Sequence, residues 1–135
     1  MLIRKQPFSE WIILKGDTLI TRQKEGGLID MKKVSMFEEN SFKDSGLSRL
    51  LVHDSPYFKI LNFNFKAGQE LPLHAHDIEG QVSIAVLEGK GEFLADNDES
   101  LPAGPGDILI SEIAEPHGLR AKSDMRVLVT IAPPI

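Results

Sequence analysis

From Tyr57 to Ile131 the chain is a succession of short apolar stretches broken at regular intervals by turn-forming residues. In Tyr57–Phe65, Leu61, Phe63 and Phe65 alternate with Asn62 and Asn64, the two-residue period of a strand with one buried face. Val82, Ile84 and Val86 form one face of the next regular stretch, with Gln81, Ser83 and Ala85 on the other. Further strands are expected at Glu92–Ala95, Ser100–Leu101, Ile108–Ser111, His117–Ala121 and Met125–Ile131. Lys66-Ala-Gly68, Glu88-Gly-Lys-Gly91, Asp96-Asn-Asp98, Ala103-Gly-Pro-Gly-Asp107 and Lys122-Ser-Asp124 separate these stretches, each rich in residues that accept turn dihedrals. Glu88–Gly91 is read as a hairpin. So many short strands with almost no helical periodicity predict an all-β sandwich or barrel.

At 135 residues the chain can bury most of its apolar surface around one core, and there is no room for a second large domain. The first part is less regular. Trp11–Leu14 and Thr18–Thr21 suggest two short strands around Lys15-Gly-Asp17, Glu25-Gly-Gly27 reads as a break, and Phe37–Arg49 reads as loop with one helical turn. Residues 1–47 are therefore assigned to an N-terminal extension and 48–135 to the β domain. One further reading of the extension is that Lys24-Glu25-Gly26-Gly27-Leu-Ile-Asp-Met31 is a purine-rich ribosome-binding stretch and spacer in translation, with the natural start at Met31. Peptides from residues 1–24 in native protein would refute it; a structured extension is the plainer reading.

Charge is unevenly placed. Residues 1–50 hold nine Lys and Arg against seven Asp and Glu, and residues 51–135 hold six against thirteen, for a total of −5. The acidic β domain disfavours nucleic acid, whose phosphates need cations, and anionic lipid. No apolar run reaches the length of a membrane span, and Trp11–Leu14 is too short for a signal-peptide core. A cytoplasmic protein is expected. The chain has no cysteine, which removes disulfides, thiolate metal sites and a thiol nucleophile together.

Three of the four histidines fall in two places, His74-Ala-His76 and Pro116-His117. Two residues apart on a strand, His74 and His76 would share a face, and a third imidazole from a distant strand would close a site of the kind that suits Zn, Cu, Fe, Ni or Mn. His53, in Val52-His-Asp-Ser-Pro56, belongs to no such pattern and is read as a surface residue. Glu112 and Glu115 lie just before His117 and, with Glu79, are candidate acids or bases, though such residues are more often simply solvated. Asn62 and Asn64, opposite the aromatic stripe, line either the barrel or solvent. Trp11 is read as core or interface packing.

These residues resemble the small single-domain bacterial members of the cupin superfamily. The first motif of that family runs Gly, five residues, His-x-His, three or four residues, Glu, six residues, Gly. Gly68, His74 and His76 match it, Gln81 follows four residues later, and seven residues separate Gln81 from Gly89. The second motif runs Gly, five residues, Pro-x-Gly, two residues, His, three residues, Asn. Gly106 and His117 match, whereas Glu112, Ala114 and Ala121 stand at the Pro, Gly and Asn positions. The resemblance implies a double-sheet jelly-roll barrel and a divalent metal bound by His74, His76 and His117. It implies Gln81 as fourth ligand through its amide oxygen, with Glu79 as the alternative and a β-bulge absorbing the extra residue before Gly89. With Gln81, the metal keeps its full charge and favours an anionic ligand. The function implied is a metal-dependent enzyme, such as a dioxygenase or isomerase, acting on a small molecule; the alternative is a non-catalytic binding or sensing module. Exposed strand edges predict a homodimer.

Overall fold

The computed structural model of the protein describes residues 30–135, together with the backbone of two short antiparallel strands upstream, β1 (Ile12–Ile13) and β2 (Thr21–Arg22), in which Ile12 lies opposite Arg22. The readings of Trp11 and of the break at Glu25–Gly27 fall outside the described residues. The chain divides into two compact units, residues 1–35 and 36–135. The stretch 36–47, expected in the extension, belongs to the second unit.

That unit opens with a single helical turn, α1 (Met36–Glu39), and continues as nine strands: β3 (Ser48–Asp54), β4 (Lys59–Phe65), β5 (Glu70–His74), β6 (Gln81–Glu88), β7 (Gly91–Leu94), β8 (Ser100–Ala103), β9 (Ile108–Glu112), β10 (His117–Ala121) and β11 (Met125–Ala132). They form two antiparallel sheets, five-stranded in the order β3-β4-β11-β6-β9 and four-stranded in the order β5-β10-β7-β8. Strand positions from β4 to β11 agree with the sequence reading to within a few residues. β3 was not foreseen, because Arg49-Leu-Leu-Val52 lacks the two-residue alternation. Glu88–Gly91 is a corner rather than a hairpin: β6 lies in one sheet and β7 in the other. Gly89, at φ 86°, makes the corner possible, a conformation that L side chains rarely adopt.

The core lies between the sheets. Leu61, Phe63 and Phe65 of β4 meet Val82, Ile84 and Val86 of β6 and Val127 and Val129 of β11, with Phe93, Leu119 and Ala121 from the four-stranded sheet. Every residue from Leu61 to Phe65 is buried, however, Asn62 and Asn64 completely. The two asparagines line neither barrel nor solvent; they sit on the outer face beneath residues 36–47. Asn62 Nδ2 donates to Asn64 Oδ1 at 3.1 Å and to the Val127 carbonyl at 3.0 Å, and Asn40 Nδ2 donates to Asn62 Oδ1 at 2.8 Å. Asn64 Nδ2 donates to the Asn40 carbonyl at 3.1 Å, and the Ser48 hydroxyl donates to Asn40 Oδ1 at 2.6 Å. Buried amides are tolerated when partnered, and this network fastens the stretch after α1 to β3, β4 and β11. Among the described residues, no helix is long and apolar enough to cross a membrane.

Candidate functional site

Strands β5 and β10 bring two of the histidines together. His74 stands directly opposite His117 in their ladder, so the two rings share a face, and their centroids are 4.5 Å apart. The register shifts between His117 and Leu119: Gly118 alone faces the two residues Pro72 and Leu73. This bulge re-aims β5, so that Leu71 and His74, three residues apart, both reach the same cavity. Pro72 sits where a strand tolerates a missing N–H. Gly118 permits the close approach, since a β-carbon there would lie 2.6 Å from the Leu71 carbonyl oxygen and 3.0 Å from the Leu73 nitrogen. Its role was not legible as a motif; the clue was only its position next to His117.

His76 is delivered differently from the sequence expectation. β5 ends at His74, and His76 begins the loop to β6, held by its backbone N–H donating to the Ile113 carbonyl at 3.1 Å, while the Ile113 N–H donates to the Gly80 carbonyl at 2.9 Å. The His76 ring is exposed, 5.7 Å from that of His74. All three histidines line one cavity of about 80 Å³, whose remaining wall is apolar and includes Leu61, Phe63, Val82, Ile84, Ile113 and Val129. That volume is far below the roughly 300–1,000 Å³ of drug-sized pockets, so the cavity suits a molecule of few non-hydrogen atoms.

The tautomers of two rings follow from their partners. His74 Nδ1 lies 2.8 Å from the Pro72 carbonyl oxygen, and His117 Nδ1 lies 2.7 Å from that of Glu115. A carbonyl only accepts, so both Nδ1 atoms carry hydrogen and donate, and in the neutral ring this fixes the tautomer whose Nε2 keeps its lone pair. This is the arrangement in which a backbone carbonyl orients an imidazole ligand and raises its basicity. His117 is only 5% exposed, and burial, joined by the nearby His74 and His76, holds its pKa below the usual imidazole value against the opposing hydrogen bond to Glu115. A neutral ring is what a metal requires.

The fourth expected ligand is not brought to this place. Gln81 is exposed and pairs with Glu112 across β6 and β9; its Nε2 donates to Glu112 Oε2 at 2.8 Å. The expected bulge lies just before Gly89, where the β6–β11 register passes from Val86 to Glu88 and skips Leu87; it does not re-aim Gln81, for the β6–β9 register runs unbroken from Gln81 to Ala85. The alternation along β6 buries Val82, Ile84 and Val86 and turns Gln81 to the opposite face. Glu79 is exposed in the preceding loop, and neither it nor Glu112 lines the cavity.

The spacing of the rings bears on metal binding. Two imidazoles bonded to one ion through nitrogen at about 2.0–2.1 Å have ring centres roughly 3 Å from it, hence up to about 6 Å apart, and the separations of 4.5 and 5.7 Å fall within that limit. Imidazole as a donor type suits a transition metal. The four-ligand set does not assemble, and among the described residues no three His, Asp or Glu side chains form a ready-made metal group.

Residues 61–131 match the Cupin domain family. An RmlC-like cupin protein from Desulfovibrio desulfuricans is 54% identical, with a TM-score of 0.75 over 78% of this chain and 99% of that one. A protein with a double-stranded β-helix domain from Klebsiella pneumoniae shares the fold at 22% identity, with a TM-score of 0.70 over 77% of this chain and 91% of that one. Ectoine synthase from P. lautus is 28% identical, with a TM-score of 0.56 over 69% of this chain and 68% of that one. No curated protein matches the chain.

Proposed function

The chain belongs to the Cupin domain family, and from that premise we propose that it binds a small molecule at the mouth of its barrel, where His74, His76 and His117 hold a divalent transition metal. The observation that carries this reading is the pair of backbone carbonyls on the Nδ1 atoms of His74 and His117, which orients two imidazoles that line an otherwise apolar cavity. A bound metal would supply Lewis acidity there. The protein's own residues do the rest. The Pro72 and Glu115 carbonyls hold ring hydrogens on Nδ1, and burial disfavours the protonated form of His117. Leu61, Phe63 and Ile84 displace water from the inner wall and favour an apolar portion of the ligand.

A second reading is a metal-free binding or sensing pocket. It is favoured by the apolar lining and by the lack, among the described residues, of a ready-made three-ligand group. One experiment separates the two. Protein purified without chelator is assayed for Fe, Mn, Zn, Ni and Cu, and its melting temperature is followed as each ion is returned to a chelator-treated sample. The first reading expects about one equivalent of metal and a stabilisation that His117→Ala abolishes. Absence of both leaves the metal-free pocket. Oxygen uptake with the Fe(II)- or Mn(II)-loaded protein against small diketones and catechols then tests whether the bound metal is catalytic.

A further inference from the structure

On β6 two consecutive residues compete for one role. Gln81 has the chemistry of a ligand, and Val82 has the position of one. Val82 is 4% exposed and lines the histidine cavity, whereas Gln81 lies on the other face with its amide nitrogen on Glu112. Because the side-chain period of a strand is two, a slip that turned Gln81 inward would turn Val82, Ile84 and Val86 out of the core together. The unbroken register against β9 holds that slip off, and the one irregularity against β11 lies at the far end of β6, between Arg126 and Val127.

We infer that Val82 replaces the fourth ligand, so that a metal at this site is held by the three imidazoles alone and its remaining positions are taken by a small aliphatic carboxylate. The inference rests on the metal reading of the preceding section and deepens it. Three neutral imidazoles leave the dipositive charge uncompensated, and among the described residues no Asp or Glu lines the cavity to offset it. A carboxylate supplies the missing charge and oxygen donors. The wall formed by Val82, Ile84 and Ile113 takes the alkyl portion, and a cavity of about 80 Å³ limits that portion to a few carbons.

The test is Ni²⁺ binding to the full chain by titration calorimetry, compared among wild type, Gln81→Ala and Val82→Gln. Gln81→Ala is expected to leave the dissociation constant within twofold, and Val82→Gln to tighten it tenfold or more by adding an inward oxygen donor. A tenfold weakening in Gln81→Ala overturns the inference while leaving the metal reading intact. No Ni²⁺ binding by wild type overturns both. If Val82→Gln does not fold, Gln81→Ala still decides the question. For the ligand, propionate is expected to raise the melting temperature of the Ni²⁺-loaded protein and propylamine, the same skeleton with the opposite charge, to leave it unchanged. Stabilisation by the amine alone overturns the carboxylate assignment.

Discussion

The two faces of the five-stranded sheet are both buried along β4, yet they are built from opposite chemistry. The inner face is hydrocarbon: Leu61, Phe63, Phe65, Val82, Ile84 and Val129 close on one another and on the cavity. The outer face beneath residues 36–47 is amide and hydroxyl, with Asn40, Ser48, Asn62 and Asn64 hydrogen-bonded into one network. Farther along the same outer face the cover ends, and Ile108 and Ile110 of β9 are 62% and 65% exposed. Burial thus does not identify the functional side of a strand here; direction does. The same lesson separates Val82 from Gln81, which differ by one residue in sequence and lie on opposite faces of the sheet.

The inner face should be the more costly to damage. Ile84→Ala removes three carbons from the fully buried centre and is expected to cost about 3–4 kcal/mol in urea denaturation. Asn62→Ala, on the outer face, removes the hydrogen bonds it makes with the Asn40 amide, Asn64 Oδ1 and the Val127 carbonyl and should cost about 2–3 kcal/mol. If it costs under about 0.5 kcal/mol, water replaces the network, and residues 36–47 are a loose cover rather than part of the domain. If it costs as much as Ile84→Ala, the two faces are energetically equal and the contrast is one of chemistry alone.

Much of this contrast can be read from the sequence. The alternation of Leu61, Phe63 and Phe65 with Asn62 and Asn64 announces β4 and its inner face, and His74, His76 and His117 stand out by their scarcity and spacing. The sequence does not say that the asparagines are covered, because their partner Asn40 lies in a stretch without periodicity and meets them through non-local contacts. Nor does Arg49-Leu-Leu-Val52 declare a strand, since its pattern departs from strict alternation and β3 carries a register irregularity of its own between Leu51 and His53. Gln81 misled for a physical reason. Ligand chemistry is a property of one residue, whereas facing the cavity is a property of the whole strand's parity, and the three buried residues Val82, Ile84 and Val86 outvote it at about 1.5–3 kcal/mol each.

The inner face also carries the pH dependence. His117 has its pKa depressed in the folded chain, chiefly by burial, so below the ordinary imidazole pKa of about 6.5 the unfolded chain binds a proton that the folded chain resists. The unfolded state then binds more protons, and stability rises with pH across that window. Chelator-treated protein is therefore expected to lose stability as pH falls below about 6.5, with full stability above it. His117→Asn should flatten that slope, and an unchanged slope would assign the dependence to other groups. On the outer face, the Arg126 guanidinium lies between Phe37 and Phe42, 4.4 and 4.9 Å from their ring centres, with Nε 3.1 Å from Glu88 Oε1. Among the described residues its buried Nε and Nη1 make no hydrogen bond. Packing and charge attraction are offset by desolvation, so Arg126→Met is expected to change stability by less than about 1 kcal/mol in either direction; a loss of 3 kcal/mol would show that the charge itself fastens the cover.

The smallest expected effect is the one that asks whether the outer face is bare at its β9 end. β9 is an edge of the five-stranded sheet, and an edge strand offers unpaired backbone groups to another strand. If the chain acts as a monomer, Ile110→Thr exchanges one exposed side chain for another and should shift stability by no more than about 0.5 kcal/mol at every protein concentration. If two copies pair through this edge, Ile110 is covered in the dimer. The same substitution then costs more as concentration rises, because association stabilises only the intact chain by mass action. Melting curves of both proteins across a hundredfold range of concentration, with light scattering at each end, distinguish the cases. A concentration-dependent gap would extend the covered outer face from the asparagine network to β9; a constant, small gap would leave the cover ending where residues 36–47 end.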